Sequence, residues 1–341
     1  MTKVGHIVVM CLSPIGDALF ATPAIRALRG EFPRTRITIL TSPAAFEVLR
    51  NNPFQVRLIK ITNGWQLYKV LVWIRKQPVD LVLGFSRLGN LFTKLCGGKQ
   101  AADFSSVEFD ETQSVVEVCL DVLRTVVGQA VVPAGSSYNQ TDYWLQPGDY
   151  QMANRFLDWS GYEQRRPLVA IHCGGHYFTR KRWPVERFIQ LVKCLIYEAG
   201  HQTVLIGGKE DRANAQTVCA AVPETLSAVG ILQLSETGAL LKQCDVLIGN
   251  DSGPLHVAAA LRVPTVALFG PTQPCQFYPY PGERHRYLYK DIGCNPCYHW
   301  GGALWQRIPR CSRSFCMEAI SVAEVLAETC KMINLAQVNA K

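Results

Sequence analysis

Between Cys244 and Thr272 the chain reads CDVLIGNDSGPLHVAAALRVPTVALFGPT. Asp245 to Ile248 is a short apolar run of the kind a strand buried on both faces accepts. Gly249-Asn250-Asp251-Ser252-Gly253 has the composition of a turn. Pro254 suits a first helical position, where its missing N–H would have had no partner anyway. A helix through Leu255, Val257, Ala258 and Leu261 then ends before Pro264. Thr265 to Phe269 forms a second apolar run, closed by Gly270-Pro271-Thr272. Strand, loop, helix and strand in so little chain predict a parallel sheet with crossover helices.

The same alternation runs through the rest of the sequence. Strands are expected at residues 4–12, Arg36–Leu40, Val56–Ile61 and Val79–Gly84, and helices at Ala18–Arg29, Pro43–Arg50 and Gln66–Lys76. Residues 107–127 read as a further helix. The pattern loosens between Val132 and Arg166, where a helix is expected at Tyr150–Trp159, and a second sheet is expected to start at residues 167–172. With 341 residues the chain exceeds one ordinary domain. The expectation is an α/β protein of two doubly wound parallel-sheet domains, 1–160 and 161–341. No G-x-G-x-x-G follows the first strand, which disfavours a dinucleotide-dependent dehydrogenase.

The opening stretch offers a place for a phosphate. Backbone N–H groups at a helix start point outward, and the helix dipole favours negative charge there. Gly253 permits close approach, Ser252 and Thr272 supply hydroxyls, and His256 supplies an imidazole. Asp251 only accepts, so beside a diphosphate it would address a sugar or nucleoside hydroxyl. The same composition also fits a simple helix cap by Asp251 or Ser252.

G-N-D-S-G-P-L-H-V-A-A-A followed by P-T-V-A-L-F-G-P-T resembles the donor-binding signature of glycosyltransferase family 9, the ADP-heptose:lipopolysaccharide heptosyltransferases. The resemblance implies GT-B architecture, two Rossmann-like domains facing a cleft, with acceptor bound by the first domain and donor by the second. It implies an inverting transfer that needs neither metal nor cofactor. Ser13-Pro14-Ile15-Gly16-Asp17 matches the family's S-x-x-G-D, and the resemblance makes Asp17 the general base and Gly16 a donor-binding residue. Asp17 as a cap for the following helix is the plainer reading. Lys181 stands in the family's K-x-W-P context and would neutralise the leaving diphosphate; a solvated cluster with Arg180 and Arg182 is the alternative. Glu210, after Gly207-Gly208, matches an acid near the nucleoside, or is a first-turn helix acid. Gly174-Gly175 departs from the paired hydroxyl residues of many relatives. The terminal helix, Val322 to about Leu335, would pack back on the first domain.

Charge is distributed unevenly. Residues 26–99 carry thirteen lysines and arginines against Glu31, Glu47 and Asp80, whereas residues 101–150 carry eight acids against Arg124. The basic block would steer an anionic glycolipid acceptor or rest on an anionic membrane face; a merely solvated surface is the alternative. No nucleic-acid module accompanies it. No apolar run approaches the ~18 residues of a membrane span, and the N-terminus lacks a secretory pattern, so a cytoplasmic protein, peripheral on the inner membrane, is expected. The 13 cysteines suit reduced thiols. Cys294, Cys297, Cys311 and Cys316 could hold a tetrahedral zinc or be ordinary buried thiols, and the stretch between Cys297 and Cys311 is long for the family. A family relative with another nucleotide-sugar or acceptor, or a non-catalytic binding protein of the same fold, stands beside the heptosyltransferase reading.

Overall fold

The computed structural model describes residues 4–86, 93–108, 110–129, 132, 139–175, 180–280, 282–298, 311 and 314–339. They form two compact units, residues 1–144 and 145–341. The division falls sixteen residues before the boundary expected at 160, because the helix Pro147–Ser160 belongs to the second unit. There Asp149 accepts a hydrogen bond from the Ser235 hydroxyl at 2.7 Å, which ties this helix to Leu234–Leu241.

The first unit holds strands β1 (His6–Cys11), β2 (Arg36–Thr41), β3 (Arg57–Lys60), β4 (Leu81–Gly84) and β5 (Gln100–Ala102), ordered β3-β2-β1-β4-β5 and all parallel. β1 is buried along its whole length, as the central strand of a doubly wound sheet must be. The helix expected from Ala18 is two segments, Ile15–Phe20 and Thr22–Glu31, separated at Ala21 just ahead of Pro23. The helix expected over 107–127 is shorter, Val115–Val127, capped by the Ser114 hydroxyl. β5 escapes a sequence reading because three residues carry no usable periodicity.

The second unit contains β6 (Leu168–His172), β7 (Gln202–Leu205), β8 (Leu226–Ser227), β9 (Val246–Asn250), β10 (Thr265–Phe269) and β11 (His285–Tyr289). Their order is β11-β10-β9-β6-β7-β8, again all parallel. Both sheets therefore follow the order 3-2-1-4-5 of a Rossmann fold, the second extended by a sixth strand. The order reverses beside β1 in one unit and beside β6 in the other. In such sheets ligands bind at the carboxyl ends of the strands flanking that reversal. The terminal helix Val322–Asn339 buries Val325, Met332 and Ile333 in the second unit's core, alongside Trp183, Phe188 and Leu268. Its apolar stripe thus serves the core of its own unit.

Candidate functional site

β9 runs two residues further than its sequence suggests, so Gly249 and Asn250 are strand and not turn. Glycine suits 249 beside the neighbouring strand, since a Cβ there would crowd the Cβ of His172 at 3.2 Å. Asn250 is fully buried and staples two loops. Its amide nitrogen donates to the Gly174 carbonyl at 2.6 Å, and its oxygen accepts from the Trp183 backbone N–H at 2.9 Å. Trp183 is anchored in turn by its indole N–H on the Ile320 carbonyl, 3.0 Å away. The loop carrying Lys181 is thereby fixed over the end of β9. Arg180 sits at φ 48°, a left-handed conformation uncommon outside glycine, and turns the chain so that Lys181 points inward.

Asp251, 5 % exposed, gathers the site. Its Oδ2 accepts from Lys181 Nζ at 2.5 Å and from the Thr272 hydroxyl at 2.8 Å, while Oδ1 lies 3.3 Å from His256 Nε2. His256 Nδ1 meets the Tyr280 hydroxyl at 2.9 Å. Burial alone would raise the Asp251 pKa, but the Lys181 charge and the His256 contact outweigh it and hold the carboxyl well below its usual range. The Lys181 ammonium also lies 5.4 Å above Phe277 and 5.2 Å from the Tyr298 ring centre. Lys181, Asp251, Ser252, Gly253, His256 and Thr272 are thus brought together at the carboxyl ends of β6, β9 and β10.

The helix-cap reading does not survive. Ser252 occupies the N-cap position of Gly253–Ala260, yet no side chain caps that helix. The Ser252 hydroxyl instead lies 2.9 Å from His172 Nδ1 and donates to the Asn250 carbonyl. Asp251 caps nothing, being fully committed to Lys181, Thr272 and His256. The start of this helix therefore lacks a cap from the Ser252 side chain, which leaves it open to an anion.

A second buried pair was not legible in the sequence. His172 Nε2 lies 3.3 Å from Asp211 Oδ2, and the same carboxylate accepts the Gly208 N–H at 3.0 Å. Burial opposes ionisation of Asp211, but the His172 contact and the Gly208 N–H hold its pKa down. Glu210, singled out by motif, stays exposed on the turn Lys209–Asp211 with its carboxylate folded over Gly208. The structure also explains Gly174: a Cβ there would stand 1.9 Å from Asp211 Oδ1. His172, Asp211 and Asn250 carried one signal only, polar residues at or just beyond the ends of apolar runs.

In the first unit Gly16 and Asp17 lie in the opening turn of Ile15–Phe20, directly after β1. The helix starts before Asp17, so Asp17 is not its N-cap. Asp17 is half-buried, and its charge adds to the effect of burial in pushing the Cys11 thiol up to about 11. Burial and these neighbouring negative charges raise Cys119 as well.

Cys294, Cys297, Cys311 and Cys316 line one small pocket with Arg180, Ile292 and Phe315. Burial pushes the Cys316 thiol up to about 11, so it is a neutral thiol at pH 7. Among the described residues no group of three His, Cys, Asp or Glu side chains is placed to hold a metal ion. The stretch after Tyr298, long for the family, lies at 299–310 outside the described residues.

Two parallel Rossmann-type sheets in one chain are the architecture of the GT-B glycosyltransferases. The chain belongs to glycosyltransferase family 9 (heptosyltransferase), whose family model matches residues 105–304. A lipooligosaccharide heptosyltransferase 2 from Campylobacter jejuni subsp. jejuni is 24% identical over 292 residues, 83% of this chain and 87% of that one. Among solved structures, a family 9 glycosyl transferase from Veillonella parvula superposes with a TM-score of 0.79 at 24% identity, covering 98% of each chain. The E. coli ADP-heptose LPS heptosyltransferase II gives 0.77 at 20% identity, covering 97% of this chain and 99% of that one.

Proposed function

We propose that this enzyme transfers a heptose from ADP-heptose to a lipopolysaccharide inner-core acceptor, inverting the anomeric centre. The observation that carries the reading is the Lys181–Asp251–Thr272 cluster beside the uncapped start of Gly253–Ala260. It supports a diphosphate site, because it joins a fixed cation to a row of outward N–H groups. Heptosyltransferase names among the relatives support the sugar, and ADP-heptose in the name of the E. coli structure supports the donor.

In this reading the charge that builds on the departing ADP is met by Lys181 and by the N–H groups at Gly253, without reorganisation at the moment of transfer. Asp251 and His256 aim the ammonium and, with Ser252 and Thr272, line the donor site. Asp17 belongs to the acceptor side, where it takes the proton of the attacking hydroxyl, and Gly16 beside it lies against the donor. A single displacement needs one carboxylate and leaves an inverted product. Glu210 accepts hydroxyls of the ADP ribose, reaching outward from its exposed turn.

Residues 1–144 bind the acceptor and residues 145–341 the donor. The acceptor is an anionic glycolipid, and the enzyme works in the cytoplasm against the inner membrane face. No helix among the described residues is long and apolar enough to cross a membrane, so the contact proposed is peripheral. Titrating the protein with ADP, UDP, GDP and ADP-heptose by calorimetry tests the donor. Selective binding of the ADP ligands is expected; equal binding of all nucleotides would contradict the reading.

A further inference from the structure

The helix Gly64–Arg75 has an unusual outer face. Its inner side is ordinary: Leu71 and Ile74 are buried, and Leu67, Val70 and Trp73 pack against the same core as Val8, Met10 and Val82. Outside, where polar residues are the rule, Trp65 is 65% exposed, Tyr68 57% and Val72 38%. Lys69, Arg75 and the C-cap residue Lys76 are exposed beside them. At 3.6 residues per turn these six side chains fall within about a third of the helix circumference. The two aromatic rings stack on each other, centroids 5.5 Å apart, and the Lys69 ammonium sits 5.2 Å over Trp65. Arg57 extends the cationic rim, its guanidinium 4.9 Å above Trp73. The helix contains no acidic residue.

We infer that this face docks on the surface of an anionic phospholipid bilayer. Trp and Tyr are the side chains that settle at the headgroup level, with an apolar ring body and a polar edge. Lysines and arginines around them meet the negative potential of an anionic leaflet. An aromatic patch rimmed by cations and free of acids matches that surface in both respects. The inference rests on the peripheral membrane contact proposed above and names the surface that makes it.

Vesicle flotation with phosphatidylglycerol/phosphatidylethanolamine liposomes, against phosphatidylcholine liposomes, tests it. Wild-type protein is expected to float with the anionic vesicles only. Trp65→Ser/Tyr68→Ser and Lys69→Glu/Lys76→Glu should each lower vesicle affinity roughly tenfold or more, with melting temperature and ADP affinity unchanged. Wild-type protein that ignores anionic vesicles would overturn both the membrane contact and this face. Wild-type protein that floats while both variants float equally well would overturn this face alone. A loss of self-association in the Trp65/Tyr68 variant, seen by sedimentation without any change in flotation, would assign the face to a second copy and likewise overturn the inference.

Discussion

Lys181 Nζ lies 2.5 Å from Asp251 Oδ2, so the one cation that the K-x-W-P motif contributes is aimed by a buried carboxylate at the end of β9. The side chain of Asp251 is 3% exposed and that of Lys181 13%. Removing either partner leaves the other's charge short of compensation, which typically costs ~3–5 kcal/mol in a buried setting. Asp251→Ala is expected to lower the melting temperature by several degrees and weaken ADP binding as well. Lys181→Ala should do both, with the loss in ADP affinity worth ~1.5–3 kcal/mol as a charged hydrogen bond. Calorimetric titration and thermal melts check this; unchanged ADP affinity in both variants would mean that the pair is structural only.

Acid stability should fall in two windows. Burial, aided by the Arg36 charge, lowers the His6 pKa to about 4, and burial does the same for His285. The unfolded chain then binds protons that the folded chain refuses, so stability declines as pH drops from ~6.5 to ~4. Asp251 and Asp211 act in the same sense at lower pH. Their folded pKa values are depressed, so their contribution is complete above the unfolded value near ~4 and is lost as pH falls below it. Melts from pH 7 to 3 should show His6→Gln removing part of the upper slope and Asp251→Asn part of the lower one. Identical slopes in wild type and variants would contradict these assignments.

Gly174 and Asp211 compete for one volume. Gly174→Ser should displace the Asp211 carboxylate, break its contacts to His172 and the Gly208 N–H, and destabilise the protein by about 1–3 kcal/mol. In an Asp211→Gly background the same Gly174→Ser change is expected to cost little further stability, because the carboxylate it collides with is gone. Equal stability of Gly174→Ser and wild type by denaturant titration would refute the competition.

The two-sheet plan was legible because nearly every central strand is a continuous apolar run bounded by turn residues. β6, β9 and β10 illustrate it, being buried from end to end. Short edge strands were not legible: β8 has two residues and β11 alternates poorly, with Arg286 and Tyr287 exposed. In the site, motif spacing identified Lys181, Asp251, His256 and Thr272, but not that Asp251 binds the other three. Such a contact joins residues 70 positions apart, and local pattern says nothing of it. His172 and Asp211 were hidden for the same reason. Glu210 drew notice ahead of Asp211 because adjacent acids look alike until one of them is buried.

In the proposed mechanism Asp17 is the general base. Asp17→Asn keeps the size of the side chain but removes the proton acceptor, and loss of a general base typically lowers turnover ~10²–10⁴-fold. The expectation is a kcat reduced in that range, with ADP affinity and melting temperature nearly those of wild type. Near-normal turnover in steady-state assays would remove Asp17 from the chemistry.

The central claim is transfer of heptose from ADP-heptose with inversion. Its most direct test is one incubation of the enzyme with ADP-heptose and a Kdo-bearing lipid A acceptor, followed by NMR of the product's anomeric signal. The account predicts ADP release matched by a heptosylated acceptor whose new linkage has the anomeric configuration opposite to the donor's. No transfer from ADP-heptose under conditions where another nucleotide-sugar is consumed, or a product that retains the donor configuration, would contradict it.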